Sequence, residues 1–232
     1  MINKVSAIIC VYNEEKTLKD VITSVSEYSI VNEIIVVNDS STDATEKIIK
    51  ELKQDMALTD IHLKENKGKG YAMAVGVENA KNEIIVFIDA DQTKIVSGYI
   101  NHMVKPLLKK ECDMVLGYST VNILSQDINP LKILTGERAM YRKDIIPILD
   151  KMKESRFGVE TLLYFYFISM GKTLKFIRLV GLAHKDKYKK VPFAKATTNY
   201  INEGWEIAYT AVKNYDLVLK TFKNAIKKNI KI

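Results

Sequence analysis

Short apolar runs bounded by polar residues alternate with stretches of helical periodicity through the first half of the chain, which predicts repeated βα units on a mainly parallel sheet. Val5 to Val11 is the first predicted strand. Lys16 to Glu27 follows as a helix with Leu18, Val21, Ile22 and Val25 on one face, and Ile34 to Val37 is a second buried strand. The turn from Asn38 to Asp43 opens a helix over Ala44 to Lys53, with Thr42 or Asp43 as its N-cap. A weaker strand around Asp60 to Leu63 is followed by a loop over Lys64 to Gly70 and a helix over Tyr71 to Asn79. A strand over Ile84 to Ile88, a helix over Ser97 to Lys109 and a short strand over Met114 to Gly117 complete this half.

The second half is less regular. Tyr118 to Pro130 has no clear period and predicts a loop of the kind that carries substrate contacts. Gly136 to Tyr141 predicts a strand with charged residues near its start, and Lys143 to Lys153 a helix interrupted by Pro147. Val159 to Met170 is apolar almost all round and predicts a buried helix ending at Gly171, before a last strand over Leu174 to Leu182. From Asn202 to Lys231, Trp205, Ala208, Val212, Tyr215, Leu219, Phe222 and Ile226 recur at spacings of three and four, a single helical seam. Lys213, Lys220, Lys223, Lys227 and Lys228 occupy its other faces. Packing of this helix on its own domain is the leading expectation; pairing with a second subunit and lying in a membrane interface are the alternatives.

Composition narrows the setting. With 232 residues, 47% of them hydrophobic and 27% charged, one globular domain is the default. Cys10 and Cys112 lie too far apart in sequence for a disulfide framework or metal spacing, so a reducing, cytoplasmic setting is the simplest. No apolar run is long enough to span a bilayer and no signal-peptide stretch opens the chain, which predicts a soluble protein or one lying peripherally on the inner face of a membrane. The net charge of +7 is confined to the tail: His184 to Ile232 holds eleven lysines against Asp186, Glu203, Glu206 and Asp216, whereas the preceding residues are balanced. Such an end suits an anionic membrane surface or a phosphorylated acceptor, or is simply a solvated face; nucleic acid is not an expected partner.

Candidate chemistry sits at the ends of the predicted strands. Asp89-Ala90-Asp91 closes the run Ile84 to Ile88, where hard oxygen ligands suit Mg²⁺ or Mn²⁺ shared with a substrate's phosphates. Alone, that pattern is as often a turn or a helix cap. Val11-Tyr12-Asn13-Glu14-Glu15 leaves strand one and Asn38-Asp39 leaves strand two, while Lys67-Gly68-Lys69-Gly70 precedes a helix whose N-terminus can take a phosphate. Four loops thus converge on one sheet edge, with groups for a base and ribose, for phosphates and for a metal. This describes a nucleotide-diphosphate site.

In that order and spacing these motifs resemble glycosyltransferase family 2. The resemblance implies the GT-A (Rossmann-like) nucleotide-diphospho-sugar transferase fold of the α/β class, a central mostly parallel sheet flanked by helices. It would occupy residues 1–200, divided into a nucleotide-binding half (1–117) and an acceptor half (118–200), with a basic amphipathic helix over 201–232. It implies a nucleotide site built from Val11, Tyr12, Asn13, Glu14, Asp39, Lys67, Gly68, Lys69, Asp89 and Ala90. Tyr12 and Glu14 would flank the base and ribose, Asp39 would bond the base, and Lys69 would lie near the base or diphosphate. Asp91 would be the main metal contact, with Asp89 beside it. Cys10 stands where a proline is usual, and Asn38-Asp39-Ser40 where Asp-Asp-Gly is usual, so the nucleobase stays open.

Farther on, Thr135-Gly136-Glu137-Arg138-Ala139 and Arg156-Phe157-Gly158-Val159-Glu160 resemble the glucosyl-3-phosphoglycerate synthases, retaining relatives of this fold. By that comparison His184 would complete the metal site with Asp89 and Asp91, and Glu160 would hold acceptor or sugar. The catalytic candidates are Asp91, Glu160 and Glu137, and the acceptor-binding candidates Gly136, Arg138 and Arg156; Arg142 fits a salt bridge equally well. The acidic pair usual in inverting members is not found. A phosphate oxygen acting as nucleophile is already ionised at neutral pH, so a polyprenyl-phosphate acceptor needs no general base, and a retaining mechanism would also lack a base on the opposite face. The expected activity is therefore metal-dependent transfer of a hexose from a UDP- or GDP-sugar to an acceptor such as a polyprenyl phosphate or a phosphoglycerate. The alternatives are a nucleotide-sugar-binding scaffold without turnover and a nucleotidyltransferase, which would carry a Gly-rich loop after strand one.

Overall fold

The computed structural model describes residues 5–92, 98–118, 133, 135–156, 158–179, 209–210 and 212–221. Its first half alternates β1 (Val5–Val11), α1 (Leu18–Ser26), β2 (Val31–Asn38), α2 (Thr45–Asp55), β3 (Thr59–His62), α3 (Lys69–Asn79), β4 (Ile84–Asp89), α4 (Tyr99–Leu108) and β5 (Met114–Tyr118). Then come β6 (Arg138–Tyr141), α5 (Arg142–Ile145), a 3-10 turn (Ile146–Ile148), α6 (Leu149–Ser155), α7 (Val159–Ser169) and β7 (Leu174–Arg178). The elements predicted up to β7 are all present among the described residues, with ends moved by a few positions; residues 180–182 of the last predicted strand and most of the helix predicted over Asn202 to Lys231 lie outside the described residues. Pro147 breaks the helix into α5 and α6 through the 3-10 turn because it has no N–H to give. The loop expected over Tyr118 to Pro130 lies outside the described residues except for Tyr118, which ends β5.

The seven strands form one sheet in the order β3-β2-β1-β4-β6-β5-β7. All neighbours run parallel except β6, which is antiparallel to both β4 and β5. The chain moves outward from β1 through β2 to β3 and then returns to place β4 on the other side of β1, so the strand order reverses between β1 and β4. At such a switch point the carboxyl ends of parallel strands open a crevice. Register aligns the three strand ends there: Cys10 lies opposite Asp89, and Val11 opposite Asn38.

Alternation along the strands sorts the core into two layers. Ala7, Ile9, Val36, Val86 and Ile88 pack with Leu18, Ile22, Ile49, Ile100 and Met103 of α1, α2 and α4. Ile8, Ile35, Val37, Ile85 and Phe87 pack on the opposite face with Ala72, Met73, Val77, Met152, Leu163 and Phe167 of α3, α6 and α7. The sheet is buried on both sides, as its continuous apolar strands require.

Two expectations change. α2 starts after Ala44, not at a Thr42 or Asp43 cap; Asp43 instead accepts the Thr45 amide at 3.0 Å through Oδ1 and the Glu15 amide at 3.1 Å through Oδ2. The described part of the C-terminal seam, Val212, Tyr215 and Leu219, does not face the domain. Residues 209–210, 212–213 and 215–221 are helical, and their buried positions are Thr210, Asn214 and Leu217, whereas Tyr209, Val212, Tyr215 and Leu219 are exposed. The inward face adds Leu217 to the core, and exposed residues beside it make polar contacts: Lys213 reaches the Glu154 carbonyl at 3.3 Å, and Lys151 on α6 pairs with Asp216 at 3.0 Å.

Candidate functional site

The loops that leave β1 and β2 are stitched into one surface. Asn13 adopts a left-handed conformation (φ 56°), its Oδ1 accepts the Thr42 amide at 2.7 Å, and its own amide donates to Ser41 Oγ at 3.0 Å. The Glu14 amide donates to Thr45 Oγ1 at 3.0 Å, and Glu15 Oε2 accepts the Ala44 amide at 3.0 Å. Above this frame Tyr12 is 47% exposed, and Val11, buried beneath it, accepts the Asp39 amide through its carbonyl at 2.9 Å.

Asp39 is buried, and its two carboxylate oxygens accept the amides of Lys67 and Gly68 at 2.8 Å each. The Asn66 side chain donates to the Asp39 carbonyl at 3.2 Å. One residue of the β2 loop therefore grips the segment leading into α3. Gly68 precedes that helix with φ 90°, a conformation that disfavours a side chain, and a Cβ there would also lie 3.2 Å from Arg156. The Gly70 amide donates to the Arg156 carbonyl at 2.7 Å. The amides of Lys67, Gly68 and Gly70 thus already have protein acceptors.

Lys69, the first residue of α3, turns its ammonium into the crevice, 2.8 Å from Asp89 Oδ1 and 2.7 Å from Glu160 Oε1. Burial works against its charge, but Asp89 and Glu160 prevail and hold it well above the usual lysine range. Asp89, at the end of β4, rests directly on Gly136, where a Cβ would fall 2.1 Å from Oδ2. Ala90 is buried, Asp91 is partly exposed, and the Gln92 amide closes the turn on the Asp89 carbonyl at 3.3 Å. Beneath lies Cys10, whose thiol burial pushes well up.

The floor of the crevice is a buried polar layer that sequence reading finds only in part. Glu137 is buried; its Oε2 accepts from Thr135 Oγ1 at 2.9 Å while Oε1 has no hydrogen-bond partner. Burial, and then the Asp89 carboxylate, push its carboxyl up to about 8. Tyr99 of α4 buries its hydroxyl, likewise unpartnered, and burial with Glu137 and Asp89 raises it well above the phenol range. Tyr99 was missed because a tyrosine in the first turn of an apolar helix reads as packing. Arg138 is fully buried, and its three guanidinium nitrogens donate to the carbonyls of Thr135, Glu160 and Ile133 at 2.8, 2.8 and 2.6 Å. It ties β6 to the start of α7 and presents no nitrogen to the crevice. Burial lowers its pKa to about 10.

The remaining candidates fall in three places. Lys67 is exposed and pairs with Glu65. Arg156, with φ 49°, lines a cavity of about 240 Å³ together with Lys151, Glu154, Tyr209, Lys213 and Asn214. His184 lies outside the described residues. Among the described residues no cluster of three or more His, Cys, Asp and Glu side chains has metal-ligating geometry. Asp89 at the end of β4 and Asp91 two residues on nevertheless supply two carboxylates, whose chemistry fits a hard divalent cation completing its shell with phosphate oxygens and water.

The sequence profile described as Glycosyl transferase family 2 matches residues 6–165. Poly-beta-1,6-N-acetyl-D-glucosamine synthase of Staphylococcus epidermidis is 35% identical over 88 residues, 38% of this chain and 21% of that protein. Glycosyltransferase GlyA of Streptococcus pneumoniae is 32% identical over 117 residues, half of this chain and 16% of that protein. The chain thus spans about a fifth of the length of these relatives. Among solved structures, glucosyl-3-phosphoglycerate synthase of Mycobacterium tuberculosis, crystallised with Mn²⁺, UDP and phosphoglyceric acid, superposes with a TM-score of 0.68. That match covers 91% of this chain and 78% of the other at 22% identity, a likeness of fold.

Proposed function

The chain belongs to glycosyl transferase family 2, and on that premise we propose that it moves a hexose from a UDP- or GDP-sugar to a phosphorylated acceptor, with Mg²⁺ or Mn²⁺ as cofactor. The observation that carries this reading is Lys69, which joins Asp89 at the end of β4 to Glu160 on α7 across the crevice where β1 and β2 also end. A cation held between two carboxylates at a switch point suits a polyanionic leaving group. An ammonium has three N–H donors, and with two of them given to the carboxylates the third is left for a diphosphate oxygen.

The individual roles follow from position. Tyr12 offers an exposed ring for the base, and Asp39 keeps the Lys67–Gly68 segment closed against the nucleotide. Asp91 and Asp89, with His184 as the third ligand that the resemblance implies, would hold the divalent ion, which when bound would neutralise charge on the diphosphate. Lys69 stabilises the same developing charge from the protein side, in fixed geometry. Glu160 faces the crevice from α7 and is placed to bond a sugar or acceptor hydroxyl. An acceptor phosphate arrives already ionised, so no side chain has to remove its proton. Polyprenyl phosphate meets that requirement and would bring the enzyme peripherally to a membrane; phosphoglycerate would instead react through its hydroxyl, whose proton would pass to a base such as the departing diphosphate, with its own phosphate serving as a binding handle.

Calorimetry with Mn²⁺ and a panel of UDP- and GDP-sugars tests the donor. Binding that disappears in Asp91→Ala supports the proposal; no binding of any nucleotide sugar, or unchanged binding in the variant, overturns it. Mass spectrometry of reactions offering phosphoglycerate and polyprenyl phosphate as paired acceptors then identifies the product. Glycosylation of neither, with donor binding intact, rejects the phosphorylated acceptor and leaves the nucleotide-sugar site standing.

A further inference from the structure

We propose that the C-terminal helix docks on an anionic bilayer through the apolar seam it turns to solvent. Tyr209, Val212, Tyr215 and Leu219 are exposed by 63, 72, 66 and 53%, and their spacing of three, three and four residues puts them on one side of a helix. Thr210, Asn214 and Leu217 occupy the opposite side and are buried against the domain. A helix that buries Thr210, Asn214 and a single leucine, Leu217, while exposing valine, leucine and two tyrosines keeps most of its apolar surface away from its own domain. Contiguous exposed apolar side chains of this size mark a surface that something covers.

Charge decides what covers it. Asp216 is the last acidic residue of the chain, and Lys151 of α6 pairs with it at 3.0 Å. Lys220, Lys223, Lys227, Lys228 and Lys231 follow with no acid among them, while Phe222 and Ile226 continue the apolar spacing in sequence. An apolar stripe that combines tyrosines with a lysine-rich continuation matches an interface between acyl chains and anionic headgroups. The seam leaves the glycosyl-transfer chemistry untouched, and vesicle binding needs neither donor nor acceptor, so the proposal stands or falls independently of the substrate reading.

The test is co-sedimentation of the full chain with phosphatidylcholine vesicles, with and without phosphatidylglycerol, at low and high salt. The expected result is binding to the anionic vesicles alone, weakened by salt. Replacing Tyr215 and Leu219 together by Ser should lower partitioning on the order of tenfold by removing apolar contact, and replacing Lys220, Lys223 and Lys227 by Ser should do so by on the order of tenfold or more. Circular dichroism should show both variants folded, since the exposed seam positions bear little on the core. No binding to anionic vesicles at low salt overturns the proposal, and so does undiminished binding of the seam variant. A dimer in light scattering that the seam substitutions dissolve, without vesicle binding, would assign the face to a second copy.

Discussion

Lys69 Nζ lies 2.7 Å from Glu160 Oε1, joining the first residue of α3 to the second residue of α7, and the same ammonium reaches Asp89 on β4. Three elements around the crevice therefore share a single positive charge, and its removal leaves two carboxylates facing each other.

Lys69→Met should lower stability by about 1–3 kcal/mol in urea unfolding, the range for hydrogen bonds to charged groups and the desolvation left behind. Adding Glu160→Gln in the same chain should recover part of that loss, because one of the opposed charges is then gone. Strict additivity of the two single changes in a double-mutant cycle would show that the pair is not coupled.

Asp39→Asn replaces an acceptor for two amides by a group with only one oxygen, turning an NH₂ toward a backbone N–H. It should cost ~1–3 kcal/mol and release the segment leading into α3. Hydrogen exchange at the Lys67 and Gly68 amides, which Asp39 now holds at 2.8 Å, should accelerate more than exchange in β1 or β4.

At Gly136 the constraint is room, since a methyl group would fall 2.1 Å from Asp89 Oδ2. Gly136→Ala should keep the fold, shift the Asp89 carboxylate, and weaken Mn²⁺-dependent nucleotide binding about tenfold, equivalent to ~1.4 kcal/mol. Titration calorimetry alongside circular dichroism separates that outcome from unfolding.

Asp113 predicts an acid-sensitive joint between β5 and β7. Its Oδ2 accepts the Thr173 amide at 2.8 Å and the Thr173 hydroxyl at 2.9 Å, and Lys172 lies 3.2 Å from Oδ1. Burial raises its pKa, but the Thr173 bonds and Lys172 outweigh this and the net shift is downward. A carboxyl lowered on folding contributes stability that is present above its unfolded pKa and is lost as pH falls through the folded one. Asp113→Asn should therefore melt earlier than the parent at neutral pH, and the two melting temperatures should converge as pH is lowered below ~4. A constant gap across that range would refute the linkage.

The order of elements was legible from the sequence because burial on both sides of a parallel sheet demands uninterrupted apolar runs, and Val5 to Val11, Ile34 to Val37 and Ile84 to Ile88 supply them. The polar residues at the ends of those runs, Tyr12, Asp39 and Asp89, were equally visible, since a strand must end where the chain meets solvent. The partners of those residues were not. Periodicity reports how buried a position is, but not which distant residue shares its space, and Lys69 meets Glu160 only because α3 and α7 pack on the same face of the sheet.

For the same reason Arg138 read as a group for binding an acceptor, whereas the antiparallel placement of β6 beside β4 buries it among three backbone carbonyls. The C-terminal seam shows the limit most plainly. Its spacing fixed one apolar stripe, yet a stripe has no direction until the surface under the helix is known. That surface supplies Lys151 and the Glu154 carbonyl, which bond Asp216 and Lys213. The sequence by itself determined the strands, the helices and the polar groups at the sheet edge; only tertiary packing decided which charges meet in the crevice and which face of the last helix is left to water.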